Sequence, residues 1–256
     1  MITKNQIKFL KSLSQKKYRM QSQKFLVEGK RIVKELIQSS ALIDKIYVSE
    51  DFILKNEDFI LFDSNNSYEV ISNEVISKIK NTDSSQEIFA ISLIKNSLDL
   101  PIQTPILVLD NISDPGNLGT LLRSASWYGI NNVLVTSKSV DIYNPKVVRS
   151  AMGAHFHITN LHQLSEQKIQ SILNDESIHI IAATLNGSCH KNFNPLNNWA
   201  LILGNEAHGV TESMLDIANE QVSIPKLGNM ESLNVGVAGS VLIDRFSMVK
   251  IITSNV

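Results

Sequence analysis

Short apolar runs alternate with amphipathic segments through the second half of the chain. The apolar runs lie at residues 106–109, 133–135, 178–183, 200–203 and 222–224, and helical patterns lie at 118–128, 145–152 and 235–252. Strands that are apolar throughout and separated by helices are typical of a parallel sheet covered on both faces. The pattern therefore predicts an α/β domain, and such sheets bind ligands at the carboxyl ends of their strands.

The first hundred residues predict a smaller α/β unit. Helical patterns lie at 3–13, 29–38 and 73–80, and strand patterns lie at 25–27, 45–48, 60–62 and 88–92. Ten of the eleven glycines and all six prolines lie beyond residue 100, and the polar stretch 95–105, with two prolines, is typical of a linker. We therefore predict one domain over residues 1–98 and a second over residues 104–256.

Composition excludes several classes of protein. The longest apolar runs, such as 106–109 and 200–203, are far shorter than the roughly 20 residues that a membrane span needs. The first residues are mixed and basic, unlike a secretory signal peptide. One cysteine, Cys189, excludes an internal disulfide framework and fits a reducing compartment. We expect a cytoplasmic protein.

Positive charge is concentrated at the start of the chain. Residues 1–34 carry ten Lys and Arg against one acid, Glu28, whereas the remaining 222 residues carry a net charge of −10. Localised positive charge of this kind suits a nucleic-acid phosphate backbone. A solvated basic helix explains the charge equally well. Interleaved apolar residues, including Phe9, Leu13 and Tyr18, indicate a folded basic surface rather than a tail.

Common sequence signatures of catalytic and cofactor sites are absent. The chain has no G-x-G-x-x-G, no G-x-x-x-x-G-K-[ST] and no G-x-S-x-G, which disfavours dinucleotide, P-loop and serine-hydrolase interpretations. Six histidines and one cysteine show no zinc spacing, so no metal site is predicted. His155 and His157 stand two residues apart, and we interpret them as solvent-facing strand residues.

Three polar loops follow predicted strands. The first, residues 110–123, contains an Asp-Pro-Gly turn, Asn117 as a candidate cap of the next helix, and Arg123 further along that helix. The second, residues 204–209, places a carboxylate between two glycines, and the third, residues 225–234, ends in Ser232 and Asn234 as candidate helix caps. Each loop alone has a purely structural explanation, but together the three outline one pocket.

The three loops resemble a known family. N-x-G-x-x-x-R at 117–123, L-G-N-E-x-x-G at 203–209 and I-P-x-x-G-x-x-x-S-L-N-V-x-x-A at 224–238 are similar to the three motifs of SpoU-type (TrmH-like) RNA 2'-O-ribose methyltransferases of the SPOUT superfamily. Order and spacing match over about residues 105–250. The first domain resembles the substrate-binding domain often fused to these enzymes, through Tyr18-Arg19 and the run 25–29.

The resemblance implies properties that composition and periodicity do not give. It implies S-adenosylmethionine as the methyl donor, a ribose 2'-hydroxyl in RNA as the acceptor, and no metal. It also implies a C-terminal trefoil knot in the α/β domain and a homodimer whose sites draw residues from both chains. The favoured substrate is ribosomal RNA.

The resemblance also assigns roles at matching positions. Arg123 would contact the target ribose and its phosphate with Asn117 orienting it, and Glu206 would hold Arg123 or the substrate. Ser232 and Asn234 would anchor the third loop and position the attacking nucleotide. The implied cofactor residues are Thr184, Leu203, Gly204, Gly209, Ile224 and Leu233. The candidate RNA-binding residues are Lys16, Lys17, Arg19 and Arg31 in the basic segment and Arg149 in the segment 144–154.

Other functions remain open at the level of sequence. Transfer RNA is the nearest alternative substrate, although members that act on it are typically shorter and lack a first domain. A non-catalytic RNA-binding or ribosome-assembly protein is a different class, but such a protein has no need of the five polar motif residues. A nucleotide-binding oxidoreductase would lack its glycine fingerprint.

The basic segment generates a test on RNA affinity. If residues 4–34 carry contacts to the RNA backbone, the affinity should fall steeply with salt, since each neutralised phosphate releases counterions. Filter binding to ribosomal RNA across rising NaCl concentrations measures the slope. An affinity that does not change over the series would contradict the assignment.

Overall fold

The computed structural model describes residues 2–56, 59, 68–80, 87–95, 98, 102–174, 177–192 and 198–253. These residues form two compact units. The first contains Met1–Asn96 together with Tyr143–Phe156, and the second contains Ser97–Ile142 together with His157–Val256. The predicted strand at 60–62 lies outside the described residues.

Strands and helices follow the predicted order in most places. The strands are β1 Lys24–Glu28, β2 Ile43–Val48, β3 Tyr68–Val70, β4 Ile88–Leu93, β5 Ile106–Leu109, β6 Asn132–Thr136, β7 Asn160–Leu164, β8 His179–Cys189, β9 Trp199–Leu203 and β10 Glu220–Ser223. The helices are α1 Lys4–Ser12, α2 Lys16–Ser22, α3 Lys30–Gln38, α4 Glu50–Lys55, α5 Asn73–Ile79, α6 Pro115–Trp127, α7 Pro145–Ala151, α8 Glu166–Leu173, α9 Glu212–Leu215 and α10 Val235–Thr253. Among these, α2, α4, β3, β7, α8 and α9 were not predicted, because each is short or lacks a clear apolar period.

The first unit is a sheet with the strand order β1-β4-β2-β3 and helices packed against it. β4 runs antiparallel to both β1 and β2, whereas β3 pairs in parallel with β2. Leu10 of α1 and Ile76 of α5 share one apolar cluster with Tyr47, Phe89 and Ile91 of the sheet. The predicted small α/β unit is therefore present.

The segment Tyr143–Phe156 packs within the first unit, although it follows β6 of the second. The ring centre of Tyr143 lies 4.8 Å from that of Phe25, and the ring of Phe156 also stacks on Phe25. His155 lies in a short 3-10 helix, Ala154–Phe156, so its interpretation as a strand residue is wrong. A single boundary near residue 100 does not capture this segment, because its apolar side chains find their partners far back in the sequence.

The second unit is built on a sheet with the strand order β10-β8-β9-β5-β6-β7, in which each strand runs parallel to its neighbours. Every residue of β5, β6 and β9 is buried, as expected for strands covered on both faces. Because β5 lies beside β9, the first and second loops leave the same edge of the sheet next to each other. No helix among the described residues is long and apolar enough to cross a membrane.

A register jump separates β8 from its edge partner β10. Gln221 pairs with Ala182, but the next residue, Val222, pairs with Ser188, so residues 183–187 bulge out of the ladder. A β-carbon on Gly187 would lie 2.6 Å from the Val222 nitrogen. The close approach of these two backbones therefore requires glycine.

Gly204, directly after β9, provides a test of backbone packing at the carboxyl edge. An added β-carbon would lie 2.1 Å from the nitrogen of Val210 and 2.2 Å from the carbonyl carbon of Gly209, and backbone atoms cannot move aside as side chains do. We expect Gly204→Ala to lower the free energy of unfolding by about 1–3 kcal/mol or more, measured by urea denaturation. Gly228→Ala is the matched control, since its β-carbon would meet nothing within 4 Å. Equal stability of the two variants would contradict the prediction.

Candidate active site

The first loop is fixed at both ends by aspartates. Asp110 is fully buried, and its backbone N–H donates to the carbonyl of Leu203 at 2.8 Å. Asp114 caps α6 by accepting a hydrogen bond from the N–H of Asn117 at 2.8 Å. The prediction that Asn117 caps this helix is therefore wrong, because the helix begins at Pro115. The Asn117 side chain is consequently available for other bonds.

The amide of Asn117 joins the three motif loops. Its Nδ2 donates to Oε1 of Glu206 in the second loop at 2.6 Å, and its Oδ1 accepts from Nδ2 of Asn234 in the third loop at 2.9 Å. Asn234 in turn caps α10, since its Oδ1 accepts from the N–H of Gly236 at 2.9 Å. The predicted cap by Asn234 is confirmed. The predicted cap by Ser232 is wrong, because the helix begins at Val235 and the exposed Ser232 makes no hydrogen bond with it among the described residues.

Arg123 lies on α6, further along the helix than Asn117, and is exposed. Within the described part of the chain it makes no hydrogen bond or ion pair, whereas the carboxylate of Glu206 is bonded to Asn117. An arginine without a carboxylate partner can offer its whole planar fork to an incoming anion. Glu206 thus contacts Asn117 and not Arg123, and a contact of Glu206 with the substrate, the other role that the resemblance implies, stays a prediction.

The implied cofactor residues surround the carboxyl ends of β8, β9 and β10. Leu203 and Gly204 are buried, Gly209 has a left-handed φ of 74°, and Ile224 is half-buried just after β10. Gly209 forms a bridge with Asn205 through two backbone hydrogen bonds of 2.9 Å each, which closes the second loop.

The third loop presents apolar side chains to the outside. Leu227 is 99% exposed, Met230 is 78% exposed and Leu233 is 51% exposed. Large apolar side chains clustered on one loop are typical of a surface that binds another molecule.

The candidate RNA-binding residues fall into two groups. Lys16, Lys17 and Arg31 are exposed on the first unit. Arg19 is only 2% exposed and donates from Nη1 to the carbonyl of Leu13 at 2.8 Å. Its predicted contact with RNA is therefore wrong, because its guanidinium holds the turn between α1 and α2. Arg149 is half-buried, and its Nη1 is buried without a hydrogen-bond partner among the described residues.

Sequence reasoning missed two groups that hold the loops. Oδ2 of Asp110 accepts a hydrogen bond from the N–H of Thr211 at 2.8 Å, which ties the first loop to the chain shortly after the second loop. The hydroxyls of Thr136 and Ser139 accept from the N–H groups of Asn111 and Ile112 at 2.9 and 3.0 Å. The position of Asp110, a carboxylate directly after an apolar strand, was a signal in the sequence. Nothing in the sequence identified the hydroxyls of Thr136, at the end of β6, and Ser139, just after it.

A parallel α/β sheet with three polar loops bonded together at its carboxyl edge defines a ligand-binding site of the kind found in α/β transferases. The model of the SpoU rRNA Methylase family matches residues 104–244, and that of the MRM3-like substrate binding domain matches residues 4–90. The chain belongs to the SpoU rRNA methylase family.

Several relatives align over nearly the whole chain. The 23S rRNA (guanosine(2553)-2'-O)-methyltransferase RlmP of Bacillus subtilis is 30% identical over 94% of this chain and 95% of its own. A TrmH-family structure from Porphyromonas gingivalis is 28% identical, covers 96% of this chain and 98% of its own, and has a TM-score of 0.82. The methyltransferase AviRb from Streptomyces viridochromogenes, in complex with AdoMet, is 20% identical, covers 97% and 99%, and has a TM-score of 0.87, which shows a shared fold.

The residues at the carboxyl edge fit S-adenosylmethionine. The hydroxyl of Thr184 is buried and has no hydrogen-bond partner among the described residues, so it is available to a polar ligand atom. Gly204 lets the second loop fold closely against the backbone of Gly209 and Val210, and the partly exposed Ile224 and Leu233 can supply apolar surface for an adenine ring, whereas the side chain of Leu203 is buried. An apolar pocket with a few convergent polar groups is typical of a nucleoside site.

The hydrogen bond from Asn117 to Glu206 can be tested by exchanging which of the two side chains donates and which accepts. Asn117→Asp removes the donor to Glu206 and sets two carboxylates at hydrogen-bond distance, so we expect a loss of about 1–3 kcal/mol of stability at pH 7. Two facing carboxylates raise the pKa of one of them, so the loss should shrink as the pH falls toward 5. Urea denaturation at both pH values measures it.

The control combines Asn117→Asp with Glu206→Gln, which restores a donor and an acceptor with their positions exchanged. We expect this double variant to be more stable than Asn117→Asp alone. A double variant that is less stable would show that the two side chains do not form the observed bond.

Proposed function

We propose that this protein is an S-adenosylmethionine-dependent methyltransferase that methylates a ribose 2'-hydroxyl in ribosomal RNA. The hydrogen bonds of Asn117, which donates to Glu206 and accepts from Asn234, carry the proposal, because they join the loops of the three family motifs, and Arg123 on the same helix as Asn117 is exposed and unpaired among the described residues. The name of the Bacillus subtilis relative, which aligns over both units, supports this reaction and ribosomal RNA as the substrate. The AdoMet bound to AviRb supports the methyl donor.

The chemistry requires mainly positioning. Bound S-adenosylmethionine supplies a methyl group that its sulfonium already activates. The protein must align the ribose hydroxyl with that group, and alignment can supply about 7–11 kcal/mol of the barrier. Thr184, Leu203, Gly204, Gly209, Ile224 and Leu233 would hold the donor, largely through backbone groups.

Arg123 acts as an electrostatic residue in this proposal. A guanidinium stays protonated at neutral pH, so it is poorly suited to remove a proton from the ribose hydroxyl. It is well suited to bind the phosphate of the target nucleotide and to stabilise the developing alkoxide. The proton then leaves late, to water. Asn117, Glu206 and Asn234 hold the loops around the reacting groups, and the exposed Ser232 would position the attacking nucleotide.

The first unit would bind the RNA. Lys16, Lys17 and Arg31 are exposed there and lie within the basic segment that the charge distribution singled out. Exposed lysines and arginines can contact phosphates with little desolvation cost. Arg149, with an unpaired buried Nη1, is a further candidate for a phosphate contact.

A second copy of the chain would cover one face of α10. Val237 is 52% exposed, Val241 is 40% exposed and Met248 is 41% exposed, and these residues form a stripe at helical spacing. Trp127, on the adjacent helix α6, is 84% exposed. Apolar surface of this extent is typical of a protein interface, and it supports the homodimer that family membership implies.

Two further properties follow from family membership. The C-terminal part of the second unit would contain the trefoil knot that the family resemblance implies. The single half-buried cysteine, Cys189, fits a protein that works in the reducing cytoplasm.

Methyl transfer from tritiated S-adenosylmethionine to purified ribosomal RNA and transfer RNA, assayed separately, tests the proposal. We expect label in ribosomal RNA and at least a 10²-fold loss in the Arg123→Ala variant, since that change removes transition-state stabilisation. Label confined to transfer RNA would correct the substrate. Cofactor binding without label in either RNA would point to a ribosomal precursor particle, and neither binding nor label would favour an assembly protein.

Arg123→Lys tests whether the planar fork matters. It keeps the positive charge but cannot bind phosphate in a bidentate way, so we expect most activity to be lost. Substantial activity of this variant at pH 9–10 would contradict a need for the guanidinium.

A further inference from the structure

The side chain of Asn205 uses both its donor and its acceptor groups. Its Nδ2 donates to the backbone carbonyl of Asn111 in the first loop at 2.8 Å. Its Oδ1 accepts from the N–H groups of Ala207 and His208 at 2.8 and 3.2 Å. One amide thus folds the second loop on itself and fastens it to the first.

The backbone of Asn205 is equally constrained. Its N–H donates to the carbonyl of Gly209, and its carbonyl accepts from the N–H of Gly209, both at 2.9 Å. Glu206 follows directly, so these bonds fix the point from which its side chain leaves the backbone. From there the carboxylate reaches Nδ2 of Asn117 at 2.6 Å.

The carbonyl that receives Asn205 is itself held in place. Asn111 has a left-handed φ of 56°, which is uncommon for a residue other than glycine. Its N–H donates to the hydroxyl of Thr136, which is 2% exposed, and the N–H of Ile112 donates to the hydroxyl of Ser139. A continuous series of hydrogen bonds therefore runs from the end of β6 to the first loop, and then through Asn205 to the second loop and to Asn117 on α6.

We infer that Asn205 is a positioning residue for methyl transfer: its amide sets the position of Glu206 and, through Glu206, the orientation of Asn117 on the helix that carries Arg123. The inference rests on the proposed function and deepens it. Asn205 does not need to touch the substrate, since its contacts with the first loop and with the N–H groups of its own loop account for its role.

The test uses Asn205→Asp, which has nearly the same shape. It keeps an acceptor for the N–H groups of Ala207 and His208 but loses the donor to Asn111 and places a carboxylate oxygen against that carbonyl. Asn131→Asp is the matched control, because it makes the same chemical change at an exposed residue just before β6, at the opposite edge of the sheet. Circular dichroism at the assay temperature establishes that each variant is folded.

We expect Asn205→Asp to lower kcat for methyl transfer about 10²-fold at saturating RNA and donor, the cost of a small misplacement of reacting groups. KM for RNA should change by less than about threefold, because ground-state binding is not affected. Asn131→Asp should keep the parent kcat. Should the aspartate variant fail to fold, Asn205→Ala, which lacks the amide donor and carries no charge, takes its place with the same expected loss.

The double variant with Glu206→Gln separates positioning from a general structural effect. If Asn205 acts through Glu206, adding Asn205→Asp to Glu206→Gln should lower kcat no further than Glu206→Gln does alone. Losses that multiply would overturn the inference, as would full activity of Asn205→Asp beside an active parent protein. A parent protein that methylates no RNA would overturn the proposed function, and the inference with it.

Discussion

The amide of Asn117 is the contact on which the candidate site depends. It offers one donor and one acceptor, and it bonds to a carboxylate on one side and to a second amide on the other. A carboxylate can only accept, so Glu206 determines which way the Asn117 amide is turned, and Asn117 then determines the orientation of Asn234. Since Asn234 caps α10, the start of the last helix is linked to the loops after β5 and β9.

The arrangement works because the sheet brings these loops together first. β5 and β9 are neighbours in register from Ile106 beside Ala200 to Leu109 beside Leu203. Their loops therefore start side by side, and the N–H of Asp110 bonds to the carbonyl of Leu203 as the two strands separate. Polar loops have little apolar surface to bury, so hydrogen bonds of this kind, rather than hydrophobic packing, determine their shape.

Burial separates the basic residues of the first unit into a buried group with a structural role and an exposed group that can contact RNA. Arg19 and Lys17 are two residues apart on α2, yet Arg19 is buried on the carbonyl of Leu13 while Lys17 is exposed. A buried guanidinium must satisfy its donors within the protein, so it has little left to offer a phosphate. The exposed lysines have no such constraint. Positive charge along a segment thus indicates a nucleic-acid surface without identifying its individual contacts.

The sequence by itself determined the architecture and the chemistry of the loops. Apolar runs such as 106–109 and 200–203 specified buried parallel strands, because a strand covered on both faces needs apolar residues at every position. The three motifs specified which polar loops would lie near one another, since they follow strands that end at one edge. The cap by Asn234 was also predictable, from an amide at the start of an apolar helix.

Only the tertiary structure decided how those polar groups pair. The sequence predicted Asp114 in a turn and Asn117 as the cap, but the helix begins at Pro115, so Asp114 is the cap and the Asn117 side chain bonds to Glu206 instead. The pairing of Tyr143 with Phe25 and the bond of Thr211 to Asp110 each join residues more than a hundred positions apart, and the bond of Asn205 to Asn111 spans 94 positions. Such contacts depend on distances set by the packed sheet, and local sequence patterns carry no information about them.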